Sequence, residues 1–360
     1  MREAANLRSV MKNRLLFAGT ILLVAACGPA AESLPVPDRI EAGEIEPTAH
    51  RLQNLALAPA GFVLGSEGAE LHRIADGQRT ELLHRFDDPI VGIHAAPRGQ
   101  LVVSTDRDYR DPATPCRVYL STDGGRTFVT TKEILGGCPI WWSMASNARG
   151  DIYLGEYGPK AAEFAKTVWK STDGGMNWAA AFQAPTRDGL HIHRVAVDPH
   201  TQDVWITTGD GSDNRGVYRS RDGSAHFERL FDSQATGIAF TPEAIYFGED
   251  HNKKGRISRV TRGAKDYREV FRAGDRGGYG GSVYDMAVGR SGRVYATLVK
   301  YPDQNHIASV WAGRDGDWTL LLRLASTPGG ASGSTSIAGP DRDGWIYLSG
   351  FRIRDQSGAE

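Results

Sequence analysis

Seven times along the chain a short apolar segment is followed by a turn and a second apolar segment. The first three pairs are Leu55-Ala-Leu-Ala-Pro59 with Phe62-Val-Leu64, Val91-Gly-Ile-His94 with Leu101-Val-Val-Ser104, and Trp142-Ser-Met-Ala145 with Ile152-Tyr-Leu-Gly155. The series continues with Ile192-His-Arg-Val195 and Val204-Trp-Ile-Thr207, then Thr236-Gly-Ile-Ala239 and Ile245-Tyr-Phe-Gly248. Tyr284-Asp-Met-Ala287 with Val294-Tyr-Ala-Thr297 and Thr335-Ser-Ile-Ala338 with Trp345-Ile-Tyr-Leu348 complete it. Short apolar runs rich in β-branched and aromatic residues, bounded by turn residues, predict buried strands. Each pair reads as the two inner strands of a repeated sheet.

A second series lies between these pairs. Ser121-Thr-Asp123-Gly-Gly125-Arg-Thr-Phe128 recurs as Ser171-Thr-Asp173-Gly-Gly175-Met-Asn-Trp178, and more weakly as Ser220-Arg-Asp222-Gly-Ser-Ala-His-Phe227. The aspartates are 50 and 49 residues apart, about the length of a four-stranded propeller blade. Asp and Ser side chains bond turn backbone, Gly supplies positive φ, and the aromatic packs beneath. These copies resemble the Asp-box (BNR) repeat of sialidase-like β-propellers, and Asp315-Gly-Asp-Trp318 is a degenerate further copy. The resemblance implies an all-β β-propeller with Asp-box hairpins turned away from the active face, and the seven strand pairs predict seven blades, with six or eight as the alternatives. It is expected to span 51–360 as one domain. The last unit runs out of chain after Phe351, so its outer strands are expected from residues 38–52, which removes an exposed edge.

Composition agrees. Glycine makes up 43 of 360 residues, about 12% against roughly 7% in ordinary proteins, as many tight turns require. A net charge of −1 excludes a general nucleic-acid binder, and 40% hydrophobic content excludes a disordered chain. Three cysteines are too few for a disulfide-built scaffold.

The N-terminus reads as an address. Arg2, Arg8, Lys12 and Arg14 precede the apolar run Leu15 to Ala26, which is too short to span a bilayer as a helix. Val24-Ala-Ala-Cys27-Gly28 resembles a bacterial lipobox. That resemblance implies a signal peptide over 1–26, lipidation at Cys27, a flexible tether over 27–50, and outer-membrane sorting in the bacterial cell envelope. The membrane is then met only through the lipid, and the protein is expected to be a monomer. Removing the signal takes the charge to about −4. In that oxidising compartment Cys116 and Cys138 are expected to pair, closing a loop worth about 3 kcal/mol.

Strand direction selects the working face. Innermost strands of a propeller run away from the face that carries the blade-to-blade loops, and second strands return to it. Starts of inner strands supply His94, Trp141, Trp142, His191, His193, Tyr279 and Tyr284. Returning loops supply Asp106-Arg107, Glu156-Tyr157, Asp210, Glu249-Asp250-His251 and Lys300-Tyr301. His191 and His193, two apart on a strand, share a side, and Asp210 returns nearby. Two imidazoles and a carboxylate make an acid–base pair, or a site for Zn, Mn or Fe; a structural Ca²⁺ near the axis is the other metal reading. No cofactor is demanded by the sequence.

The sialidase chemistry is not supported: the Arg-Ile-Pro motif of that family is missing, and Arg352-Ile-Arg354 lacks the proline. The His191-x-His193-x-Val195-x-x-Asp198-Pro199 strand, with Trp205-x-x-x-Gly209-Asp210 returning, resembles the central strands of propeller polysaccharide lyases. That resemblance implies β-elimination on a uronate-containing polysaccharide or oligosaccharide. His191 and His193 would then neutralise the uronate and take the C5 proton, and Tyr284 or Tyr301 would protonate the leaving oxygen. Arg107 or Lys300 would clamp the carboxylate. His94, Trp142, Tyr157, Asp210, Asp250 and His251 would line the substrate. Two other readings stay open: a glycoside hydrolase, and a non-catalytic glycan- or protein-binding propeller like the photosystem assembly-factor and sortilin-like types.

Overall fold

The computed structural model describes residues 14–18, 45–48 and 52–354, except 75–79, 109–110, 112, 136, 159–165, 185–190, 211–214, 251–253, 278, 300–307, 327–333 and 352. It is an all-β propeller.

Six blades are meanders of four consecutive antiparallel strands. Their inner strands are Gln53–Leu57, Ile90–Ala95, Met144–Ser146, His191–Val197, Ala235–Phe240 and Ser282–Val288, here blades one to six. The second strands are Val63–Glu67, Leu101–Thr105, Ile152–Gly155, Val204–Gly209, Ala244–Glu249 and Val294–Val299. A closing sheet is composite. The antiparallel hairpin Ser334–Ala338 and Trp345–Phe351 is extended by two parallel strands, Arg14–Ala18 and then Ile45–Thr48. The expected seven equivalent blades are therefore corrected to six complete blades. The outer strands of the closing sheet come from the N-terminal part of the chain. One of them, Ile45–Thr48, lies in the segment expected to supply them; the other, Arg14–Ala18, lies in the segment read as a signal. Ile353–Arg354 instead pairs with the outer strand of blade six.

Each inner strand packs on its neighbours around the ring, and the closing hairpin meets blade one. Second strands are buried along nearly their whole length, as Leu101–Thr105 and Val294–Val299 illustrate. Apolar clusters fill the spaces between adjacent blades; Tyr153, Ile192, Val195 and Ile206 occupy the space between blades three and four.

The three Ser-x-Asp-Gly turns join third and fourth strands on the far face. In the first, the Ser121 hydroxyl accepts from the Gly125 amide at 2.9 Å, and Asp123 Oδ1 accepts from the Arg126 and Thr127 amides at 3.0 Å. Asp173 and Asp222 repeat the pattern. The side chain four residues after each Asp (Thr127, Asn177 or His226) bonds its second oxygen, so these carboxylates are fully occupied by their own turns.

One irregularity shapes the opposite face. The pairing register of the inner strand slips between Ile90 and Gly92, Ile192 and Arg194, Ala235 and Gly237, and Val283 and Asp285. The positions that the ladder skips are Val91, His193, Thr236 and Tyr284. A β-bulge re-aims a side chain, and Val91 and Tyr284 both wall the axial cavity described below. Blade three has a 3₁₀ turn, Trp141–Ser143, in the same place. A Cys116–Cys138 disulfide ties blade two to the segment entering that turn.

Candidate functional site

At the loop-bearing end of the axis lies a cavity of about 340 Å³. Inner-strand residues of blades one, two and six, the 3₁₀ turn of blade three and the closing sheet wall it. Its character is aromatic. Trp141 and Trp142 stand 4.6 Å apart by ring centroids, Trp142 meets Tyr284 edge-on at 5.1 Å, and Trp142 meets Tyr157 at 5.5 Å. The Trp142 indole is 3% exposed and its N–H has no hydrogen-bond partner among the described residues; the Thr335 hydroxyl, 2% exposed, is in the same state. Both residues line the cavity. A buried unpaired donor costs on the order of 1–3 kcal/mol, so these groups suit a polar guest.

Tyr157 leads from this cavity to the histidines. Its ring packs on His191 at 4.3 Å, and His191 lies 4.7 Å from His193. Both imidazoles converge on Asp210: His191 Nε2 is 3.4 Å from Oδ2 and His193 Nε2 is 3.7 Å from Oδ1. Asp250 Oδ2 approaches His193 Nε2 from the next blade at 4.0 Å. The histidine side chains are 8% and 1% exposed and that of Asp210 is 49%, so the cluster opens to solvent on its carboxylate side.

Local sequence accounts for this placement. A Cβ at Gly209 would overlap the His193 ring, so glycine at that strand end lets the imidazole lie against the backbone. Asp210 adopts a left-handed backbone (φ 74°), which turns it back over the pair. The Gln234 amide donates to Asp210 Oδ1 at 2.6 Å and fixes its orientation. Burial alone would raise Asp210, but the facing His193, then His191 and Gln234, outweigh it and hold the carboxyl at about 2.

The mouth loops divide by alternation. Glu156 points into its blade, accepting from the Trp169 indole at 2.7 Å and the Thr167 amide at 3.2 Å, and burial pushes its carboxyl up. Glu249 likewise points into its blade, with Arg256, Ser258 and Tyr267 bonded to it. Their chain neighbours Tyr157 and Asp250 face the axis instead. Arg107 bonds Asp88 at 2.8 Å and is absent from the cavity wall. His94 sits at the far end of its strand, bonded to Ser146 of the next blade at 2.8 Å; burial pushes it down to about 4. Lys300, Tyr301, His251 and Cys27 lie outside the described residues.

Three contributors escape a reading of the sequence. Gln234 just precedes an inner strand and carries no motif. Arg194 reaches past blade five, where its Nε bonds the Thr236 carbonyl at 2.7 Å, and pairs with Asp285 of blade six. Asp285 also accepts from the Ile337 amide of the closing sheet at 3.1 Å. The only signal for this cross-axis pair is a charge inside an otherwise apolar inner strand.

No family model and no curated protein matches the chain. Among solved structures, a GH74 xyloglucanase from Xanthomonas campestris superposes with a TM-score of 0.57 at 15% identity over 76% of this chain and 46% of that one. An ancestral GH74 enzyme gives 0.57 at 13% identity, over 83% and 46%. A chain of a mitotic checkpoint complex gives 0.51 at 14% identity, over 93% and 100%. The chain thus spans about half the length of the two GH74 chains. At these identities the likeness is one of fold, and the fold is the β-propeller.

Proposed function

We propose that the axial mouth binds and processes an acidic saccharide, by β-elimination on a uronate-containing glycan. The observation that carries this is the continuity of an aromatic-walled chamber with the histidine pair through Tyr157. Flat indole and phenol faces suit the apolar faces of sugar rings, and unpaired indole and hydroxyl donors suit their oxygens. The GH74 neighbours, one named a xyloglucanase, agree with a glycan as guest.

The chemistry divides as follows. His191 and His193 meet the uronate carboxylate with imidazole N–H donors and neutralise it, which makes the C5 proton removable. Tyr157, packed on His191, takes that proton in its phenolate form. Tyr284, across Trp142, protonates the oxygen leaving C4, and the product carries a new carbon–carbon double bond. Hydrolysis would need two carboxylates flanking the scissile bond. Asp210 and Asp250 instead face the same His193 nitrogen.

The test is a panel of uronate polysaccharides, followed by ultraviolet absorbance of unsaturated products. Tyr284→Phe should lower the rate at least about 100-fold with the fold intact. New reducing ends without that absorbance would replace the lyase by a hydrolase, and no product on any substrate would favour a binding propeller. The same reading places the protein in the cell envelope with Cys27 as lipid anchor. Cleavage there removes Arg14–Ala18 from the closing sheet and frees the Trp345–Phe351 edge for Ile45–Thr48. Intact-mass analysis of the mature N-terminus checks it.

A further inference from the structure

We infer that His191, His193 and Asp210 form a site for one divalent transition ion of the Zn²⁺ or Mn²⁺ kind, with Asp250 as a further ligand. The ion-binding claim stands by itself; its role toward a uronate rests on the reaction proposed above. The donor atoms of the three residues all lie within 4.8 Å of one another. Their separations of 3.4 and 3.7 Å are longer than an ordinary N–H···O hydrogen bond. Donors placed tetrahedrally about 2.1 Å from a zinc ion stand about 3.4 Å apart, so the gap has the size of a coordination sphere.

The surroundings agree. Both imidazoles are buried and held in place, one over Gly209 and one against Tyr157. The ligating carboxylate is oriented by the Gln234 amide, the outer-shell support that metal ligands usually have. Asp210 remains half exposed, so coordination positions stay open to water or a substrate oxygen, as in catalytic rather than structural sites. Two imidazole nitrogens select a borderline transition ion over Ca²⁺ or Mg²⁺, which prefer all-oxygen shells. The ion also resolves an electrostatic conflict. Asp210 and Asp250 at the mouth would repel a uronate, whereas a dication between them and the guest would attract its carboxylate.

Chelator-stripped, untagged full-length protein titrated calorimetrically with ZnCl₂, MnCl₂ and CaCl₂ tests this without any glycan. One equivalent of Zn²⁺ or Mn²⁺ should bind, and CaCl₂ should not compete. Asp210→Asn, on the exposed side of the cluster, should weaken binding at least about 100-fold with an unchanged far-ultraviolet circular dichroism spectrum. Gln234→Ala should weaken it about 10-fold. In the Co²⁺-loaded protein, visible absorption bands should be lost in His191→Ala/His193→Ala. Absence of stoichiometric binding, binding that survives the double histidine variant, or preference for Ca²⁺ would overturn the site. A protein that binds the ion but cleaves no uronate keeps this site and loses the reaction; one that cleaves without the ion does the reverse.

Discussion

Aspartates on the two faces of this propeller have opposite states. On the far face, Asp123, Asp173 and Asp222 are consumed by their own turns, each oxygen accepting from amides or from the side chain four residues on. At the mouth, Asp210 is oriented by the Gln234 amide and faces two imidazoles. The same residue type closes a hairpin in one place and is available for chemistry in the other. The far-face turns fold their donors onto the carboxylate, whereas Asp210 sits at a strand end in a left-handed backbone (φ 74°) that carries it over the histidine pair.

The most severe break of this contrast is Gly209→Ala. The added methyl displaces the His193 ring, and we expect glycan activity and ion binding to fall together by at least about 100-fold, measured by rate assay and calorimetry. Next comes the matched pair Asp210→Asn and Asp123→Asn. The first should abolish most activity with little change in melting temperature; the second should lower the melting temperature and leave the rate untouched. Activity loss in the Asp123 variant would erase the distinction between faces. The last prediction concerns His94, at the far end of its strand. His94 titrates at about 4 in the folded chain against an ordinary 6.5, so the unfolded chain binds the proton first as pH falls. That stability is complete above about 6.5 and lost as pH drops toward 4, up to about 3 kcal/mol. Denaturant melts from pH 7 to 4 should show the decline, and His94→Gln should flatten it while sparing the Ser146 hydrogen bond.

Much of the architecture was legible because inner strands, buried on both faces, are written as continuous apolar runs that no surface element mimics. All seven apolar pairs form the two strands nearest the axis. The closing sheet was harder. Arg14–Ala18 belongs to a basic-then-apolar stretch that reads as an export signal, and a parallel partner leaves no hairpin turn to betray it. In the site, the His191–His193 spacing pointed to the cluster, but side-chain direction did not follow from spacing. A bulge costs no motif in the sequence, yet it decides where His193 and Tyr284 aim. The same holds for Glu156 beside Tyr157 and Glu249 beside Asp250, where one step along the backbone separates an internal acid from a mouth residue. Gln234 and the Arg194–Asp285 pair act through contacts 24 and 91 residues away, beyond any local pattern.

The Arg194–Asp285 pair also joins parts of the ring that lie far apart in the sequence. It ties blade four to blade six past blade five, with the closing sheet bonded to the same carboxylate. The ring is therefore fastened on its inner side by side chains as well as by strand packing, and a change at Asp285 reaches three of its elements at once.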